Sequence, residues 1–496
     1  MIQHCPVLIV LLPLTAALLC LLFSKFNKNL GSWLVIGSIA GSLACSLQVL
    51  HQTLTSGEAI HYWMGNWAPP LGIEFVIDPL SAVMAVLITF ISLMVALYSK
   101  PFMRNEDWLH IGGYYTLYGL LTLGLCGMVI TGDVFNLYVY LEVMSLSGYG
   151  LIAMGGRKSM LAAFRYMLIG TIGASLYLLA VAYLYAMTGT LNMADLGARI
   201  MPYLSSPPFA LAVACLFIGF GIKMALFPLH GWQPDAYNFA HPGSAAFIAG
   251  VMSKVPAYAI IRFFFYIFGV NNPIIGTALT VLGILGIGGV LIGSVMALAQ
   301  YDFRRMLAYS SVAQIGYIAI GLAIGNMYGF IGAVLHIINH AFMKSALFLV
   351  IGGIQYRFGE INLYRLGGLN KKMTLSTITV TLAALSMVGI PPTAGFFSKW
   401  YLMLGAYQGG QYFYIVVLVI SSLLNAIYFF RILEQMFVQH EASLTEINRH
   451  EGKLGLPPEM AIPIFCAGIG ILVLGFYSVD IVNDIFKSGL PEVFLR

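Results

Sequence analysis

The chain is 496 residues long, 60% hydrophobic and only 9% charged, with a mean hydropathy of +0.89. That combination excludes a soluble globular domain and leaves a polytopic helical membrane protein, because each apolar run of about 20 residues crosses roughly 30 Å of hydrocarbon. The net charge of +5 comes from basic residues scattered between apolar runs, which excludes a nucleic-acid-binding face.

The apolar runs predict fourteen spans, at about 5–24, 31–50, 78–99, 111–130, 134–155, 161–187, 208–230, 243–268, 274–300, 307–325, 328–354, 373–404, 412–434 and 458–480. The first has no preceding Lys or Arg and is followed by Lys25 and Lys28, the reverse of a secretory signal, so it reads as a retained helix. Residues 50–75 hold Gly57, Gly65, Pro69 and Pro70 between short apolar pieces and predict an outside loop with a small hairpin. The six cysteines, Cys5, Cys20, Cys45, Cys126, Cys215 and Cys466, lie in or beside apolar runs without a C-x-x-C pair. They read as small buried hydrophobes, and no iron–sulfur cluster is expected.

In the fifth span Glu142 stands among apolar residues, and in the seventh Lys223 precedes Pro228 and the turn-rich 231–235. The eighth span holds Lys254 followed by Pro256. The eleventh carries His336, Asn339, His340 and Lys344, three of them at i, i+4 and i+8 and so near one helical stripe. The twelfth is interrupted by Gly389, Pro391 and Pro392 shortly before Lys399. Proline removes a helix donor, so spans seven and twelve are expected to be broken, with freed backbone groups lining a cavity.

The loops after odd-numbered spans hold fourteen basic residues, and the other side only Arg199, Lys487 and Arg496. This bias places both termini outside the cytoplasm. Seven more fall inside spans; Arg165, Arg262 and Arg431 are near enough to helix ends to snorkel. The polar connections 355–372 and 438–455 read as solvated faces or docking surfaces.

An ionisable side chain at bilayer depth costs about 2.5–3.5 kcal/mol on insertion scales, and so marks an ion or substrate path. Glu142 and Lys223 are expected to neutralise each other as an ion pair, and moving the carboxylate would switch the amine between holding and releasing a proton. A static pair fixing helix register is the competing role, but it leaves Lys254 and Lys399 unexplained. Those two extend the line, with the His336, His340 and Lys344 stripe between them to shuttle protons. The His-x-x-x-His pair lacks the Glu that a zincin places after the first His, so no metal is expected. Ser145, Ser147, Ser244, Ser310, Ser311, Gln314 and Ser398 are candidates for holding water, although helix packing explains any one of them as well. Gly37 with Gly41, and Gly289 with Gly293, read as close helix contacts. No phosphate-binding or dinucleotide motif is present and no cofactor is expected, so the energy must come from an ion gradient or a partner protein.

Segments 132–144, 221–230, 253–256, 336–344 and 389–399 together resemble the antiporter-like membrane subunits of respiratory complex I, membrane-bound hydrogenases and Mrp-type cation/proton antiporters. The resemblance implies an all-α membrane protein of fourteen helices with broken helices seven and twelve. It also implies two inverted five-helix repeats, helices 4–8 in 111–268 and helices 9–13 in 274–434, flanked by 1–110 and 435–496. On it, Glu142, Lys223, Lys254 and Lys399 form a hydrated horizontal axis. Residues 189–196 and the lysine at 399 are most similar to the D-type member of the Mrp antiporters. The function so implied is proton translocation in an Mrp-like Na⁺/H⁺ antiporter of the prokaryotic inner membrane, among other membrane subunits. The alternatives are a proton-pump subunit of a redox-driven complex and a non-transporting scaffold.

Overall fold

The protein is described by a computed structural model that covers residues 2–359, 362–438, 455–486, 489–491 and 494. Two long helices come first, α1 (Cys5–Phe26) and α2 (Lys28–Ser56), joined by a one-residue turn at Asn27, whose side chain accepts from the Asn29 amide. The expected hairpin follows as β1 (Ile60–Trp63) and β2 (Glu74–Ile77), antiparallel, with Ile60 opposite Ile77 and Trp63 opposite Glu74. Then come α3 (Pro79–Met103), α4 (Trp108–Ile130), α5 (Val134–Ala153) and α6 (Arg157–Thr188). The next elements are a short α7 (Met193–Arg199), α8 (Pro207–Met224), α9 (Gln233–Phe239), α10 (Pro242–Phe247) and α11 (Lys254–Ile261). The second half runs α12 (Pro273–Leu298), α13 (Phe303–Ala323), α14 (Met327–Phe358), α15 (Leu369–Lys372), α16 (Thr374–Val388), α17 (Ala394–Gln408) and α18 (Tyr412–Phe437), and α19 (Pro458–Phe476) and α20 (Ser478–Ile481) close the described chain.

Starts are fixed by short polar side chains that satisfy orphan amides. Asp78, Asp107, Asp133, Ser206, Asp302 and Asn326 cap α3, α4, α5, α8, α13 and α14, and at Asp78 the cap is reciprocated by Ser81.

Among the described residues twelve helices are long and apolar enough to cross a membrane. The fifth predicted span, α5, is missing from that set, because Asn136, Glu142, Ser145 and Ser147 sit among its apolar residues. The twelfth is missing because it is split into α16 and α17, of 15 residues each. Adding these two restores the predicted fourteen spans.

The helices form a centre and a periphery. The eighth span, Pro242–Ile267, is buried except at Pro242, Arg262 and Tyr266, and α14 is buried over most of its length, whereas α2 and α18 bury only about a third of their residues and turn the rest outward. The predicted site helices are therefore mostly central. The residues 438–455, apart from Val438 and Gly455, lie outside the described part, as do Arg449, Lys453, Lys487 and Arg496.

One pairing occurs twice. The N-cap of α5, Asp133, forms an antiparallel bridge with Asn192 just after α6, and the N-cap of α13, Asp302, bridges Asn362 just after α14. Five spans separate the start of α5 from the start of α13, so the two clasps sit at opposite membrane faces. The helices they clasp also match, 20 and 32 residues in one case, 21 and 32 in the other.

The small-residue contacts came out unevenly. A Cβ on Gly293 would sit 2.7 Å from the Ala313 amide, so α12 does press on α13 there, and Gly41 is close to Leu12. Gly37, by contrast, faces open space.

Candidate functional site

The break in the seventh span creates the first part of the site. After Lys223 the chain leaves the helix at Ala225, which has φ of 61°, and re-enters at α9. The Ile222 carbonyl, which keeps only a 3.1 Å bond from the Ala225 amide, also accepts Trp232 Nε1–H at 2.9 Å. The freed backbone is thus repaired from within the protein, as hydrocarbon depth requires.

Lys223 is only 1% exposed and its ammonium donates to Ser145 Oγ at 2.6 Å and to Tyr149 OH at 3.1 Å, both on α5. The expected Glu142 ion pair is not formed: among the described residues no carboxylate lies within 4.0 Å of Lys223. Glu142 is half-buried on α5, one turn before Ser145, and turns partly to the outside of the bundle; its charge reaches Lys223 through space. Glu142, Ser145 and Tyr149 fall at i, i+3 and i+7 and so share one face of α5, and it is the two hydroxyls of that face, not the carboxylate, that satisfy the ammonium.

From Lys223 an aromatic and hydroxyl path leads inward. The ammonium lies 6.0 Å from the Tyr166 ring, Tyr166 stacks on Trp232 at 3.7 Å, and Trp232 meets Tyr237 edge-on. Tyr237 OH accepts from Gln233 Nε2 at 2.9 Å and donates to Ser253 Oγ at 3.4 Å. Ser253 Oγ in turn accepts from Lys254 Nζ at 3.3 Å. Lys254 also donates to the Ala249 carbonyl, which is available because residues 248–252 form a π-helical turn that disrupts the regular ladder.

The stripe on α14 supplies the middle. His336, His340 and Lys344 are all fully buried, as is Lys254. His336 pairs with Ser398 Oγ through Nδ1 at 3.0 Å and with Gln314 Oε1 through Nε2 at 2.9 Å, and its ring stacks on Tyr317 and on His340. Lys344 donates to the Leu307 carbonyl at 2.8 Å and to Ser310 Oγ. His340 differs from both: among the described residues neither ring nitrogen has a protein partner. Along α14 it lies one turn from His336 on one side and one turn from Lys344 on the other.

Lys399 ends the line. It lies on α17 and donates back to the Met387 and Val388 carbonyls at the end of α16, at 2.8 and 3.0 Å, and to Ser422 Oγ at 3.0 Å. The Tyr317 ring, already stacked on His336, lies 4.9 Å from the ammonium.

The predicted residues are therefore brought together as a chain of groups, although not by the ion pair expected at its start. Ser145, Ser310, Gln314 and Ser398 each hold one of the buried cations or imidazoles. Ser147 and Ser311 bond to their own helix carbonyls. Tyr149, Trp232, Tyr237, Ser253 and Ser422 were missed. A tyrosine among 28 carries no mark in a sequence until a lysine is seen beside it.

One further expectation changes. Arg262 does not snorkel; it turns into the protein and makes a two-pronged pair with Asp78, the N-cap of α3, and donates Nε–H to Tyr258 OH. Arg165 does stay largely exposed, facing Asp235 at 3.2 Å.

Known proteins share this fold. The family described as NADH:quinone oxidoreductase/Mrp antiporter, TM, matches residues 131–425, and NADH-Ubiquinone oxidoreductase (complex I), chain 5 N-terminus, matches 63–110. The chain is 45% identical to the N-type subunit of the NADH-quinone oxidoreductase of Desulforudis audaxviator, over 99% of both chains. It is 31% identical to the D-type subunit of the Na(+)/H(+) antiporter of Alkalihalophilus pseudofirmus, over 99% of this chain and 98% of the relative. Among solved structures, a chain of the membrane-bound sulfane sulfur reductase, an archaeal respiratory membrane complex, superposes with a TM-score of 0.90 at 28% identity, over 99% of this chain and 98% of that one. A chain of the Mrp complex from Dietzia sp. gives 0.87 at 26%, over 99% and 97%. The protein belongs to the NADH:quinone oxidoreductase/Mrp antiporter transmembrane family, as an antiporter-like membrane subunit.

Proposed function

We propose that the chain moves protons across the membrane as one subunit of a multisubunit complex, using Glu142, Lys223, Lys254, Lys344, His340, His336 and Lys399 in that order. One observation carries this reading. Four fully or almost fully buried lysines are held by hydroxyls and carbonyls, and none has a carboxylate within 4.0 Å among the described residues. Four lysines placed only for stability would be expected to have counter-charges, since an unpaired buried cation costs several kcal/mol. Amines linked by Tyr, Ser and His can instead exchange a proton with small movements of heavy atoms. Glu142, reached through space and open to the side of the bundle, is placed to modulate Lys223 from a neighbouring subunit's face.

The driving reaction is supplied by partners. The 45% identity to a subunit of an NADH-quinone oxidoreductase favours a redox-driven complex in which other subunits carry the electrons. A second reading, an Mrp-like antiporter exchanging protons for Na⁺ or another cation, rests on the 31% relative and on the D-like segment 189–196. The twin Asp–Asn clasps support two inverted five-helix repeats, and the excess of basic residues after odd-numbered spans supports a prokaryotic inner-membrane protein with both termini outside.

The test is to isolate the native assembly in mild detergent, identify its subunits by mass spectrometry, and reconstitute it for proton-flux measurement. Stoichiometric flavin or iron–sulfur subunits with donor-dependent proton uptake support the redox reading. Only small membrane subunits and a larger homologue, with Na⁺-dependent proton movement, support the antiporter. No proton movement from either assembly would sink the proposal.

A further inference from the structure

Away from the buried line, the basic end of the first spans holds a second constellation. A cavity of about 360 Å³ is lined by Lys28, Ser32 and Trp33 from α2, Lys100 and Arg104 from the end of α3, and Glu459 from α19. Three cations face one carboxylate. Arg104 Nη2 is engaged by Glu459 Oε1 at 2.8 Å, and Lys28 Nζ donates to the Arg104 carbonyl at 2.9 Å, using one of its three donors. Among the described residues Lys100 has no oxygen partner; its ammonium sits 3.5 Å from the centre of the Trp33 ring.

The surroundings are those of a membrane interface. Trp33 is 51% exposed and Leu30, one turn earlier on α2, is 46% exposed, while Phe26 at the end of α1 is 84% exposed. Trp33, Leu30 and Phe26 form an exposed apolar edge beside a surplus of cations, a slot that is charged at one end and greasy along its side. A soluble anion would use only the charged end.

We propose that this cavity binds the phosphate headgroup of an anionic phospholipid, with Lys28, Lys100 and Arg104 as phosphate donors and the acyl chains running past Trp33, Leu30 and Phe26. The lysines supply point charges and the Arg104 fork the directional bonds. Glu459 keeps Arg104 oriented and leaves the site a net positive charge. Basic pockets between transmembrane helices on the side rich in Lys and Arg are where such headgroups are recognised.

The intact complex, delipidated in detergent, is titrated with mixed micelles of phosphatidylcholine containing phosphatidylglycerol or cardiolipin, and bound lipid is counted by native mass spectrometry. The wild type retains the anionic lipids. Each cation removed weakens retention about fivefold, so K28Q/K100Q weakens it about twenty-fivefold. K25Q, a charge change outside the cavity, leaves retention unchanged, and K28R/K100R, which keeps the charge, restores it. Equal retention in the glutamine pair, an equal loss in K25Q, or equal binding of phosphatidylcholine would each overturn the proposal. So would inorganic phosphate competing as well as the lipid, which would make this a free-phosphate site, or Lys100 cross-linking to a carboxylate of another subunit in the intact complex. Thermal unfolding of the K28R/K100R and K28Q/K100Q assemblies separates lost binding from lost folding.

Discussion

The ammonium of Lys399 donates to the carbonyl of Met387 at 2.8 Å, so a charge on one half of the twelfth span caps the open end of the other half. The same side chain reaches Val388 and Ser422 and lies over Tyr317. Lys399 thus has two roles at once, closing the break and ending the line of protonatable groups.

Replacing it separates them. Lys399→Met removes three charged hydrogen bonds and the cation at a helix C-terminus; hydrogen bonds to charged groups contribute about 1.5–3 kcal/mol each and the helix-end term up to about 2. Part of this is offset by no longer burying a charge, so a net destabilisation of about 2 kcal/mol is expected, read as a lower unfolding temperature of the assembled complex. Proton flux is expected to vanish. Lys399→Arg, which keeps the cap, should recover stability far better than flux; equal recovery of both would make the residue only a cap.

At the other end the amine matters more than its holders. Lys223→Met is expected to abolish proton flux while the complex still assembles, since no ion pair is broken. Ser145→Ala removes the 2.6 Å partner but leaves Tyr149, so flux should fall by about tenfold, the equivalent of about 1.4 kcal/mol. Full flux in Lys223→Met membranes would remove the first step of the pathway.

The two histidines should behave oppositely in folding and alike in transport. His336 is held by Ser398 and Gln314, so His336→Ala leaves buried groups unpaired and is expected to cost about 1–3 kcal/mol for each. His340 has no protein partner, and His340→Asn should change stability by under about 1 kcal/mol. Flux is expected to drop strongly in both. Chemical denaturation and flux, measured on the same preparations, decide it; a stable, fully active His340→Asn would show that the imidazole takes no part.

Glu142 makes no ion pair with Lys223, so its neutralisation is expected to be structurally mild. Glu142→Gln should leave the unfolding temperature within about 0.5 kcal/mol equivalent, yet slow proton flux sharply because the field at Lys223 is lost. A large loss of stability with residual flux would favour the scaffold reading.

Gly389 follows α16 with φ of +92°, and a Cβ there would lie 3.0 Å from Lys399 Cδ. Gly389→Ala is expected to cost about 1–3 kcal/mol from backbone strain and to disturb Lys399, lowering both assembly yield and flux. An unperturbed variant would mean that the break does not position the lysine.

Much of this was legible along the chain. Apolar run length gave the fourteen spans, and proline with glycine marked both breaks, because neither signal depends on distant residues. A charged residue in an apolar run is conspicuous in the same way, which is why Glu142, Lys223, Lys254, Lys344 and Lys399 stood out. The π-helical turn at 248–252 left no such mark, since Ile248, Ala249, Gly250, Val251 and Met252 are ordinary helix residues and the ladder slips only under tertiary packing.

By itself, then, the sequence determined that the chain lies in a membrane, how often it crosses, and which charges must be sheltered, because hydrocarbon imposes those rules on each segment separately. Only the tertiary structure decided what shelters them. It gave Lys223 to Ser145 and Tyr149 and not to Glu142, folded Arg262 onto Asp78, and left His340 without a protein partner among the described residues. Those choices depend on which helical stripes face each other across 70 to 180 residues of chain, and a hydrogen bond reaches about 3 Å whatever the distance in sequence.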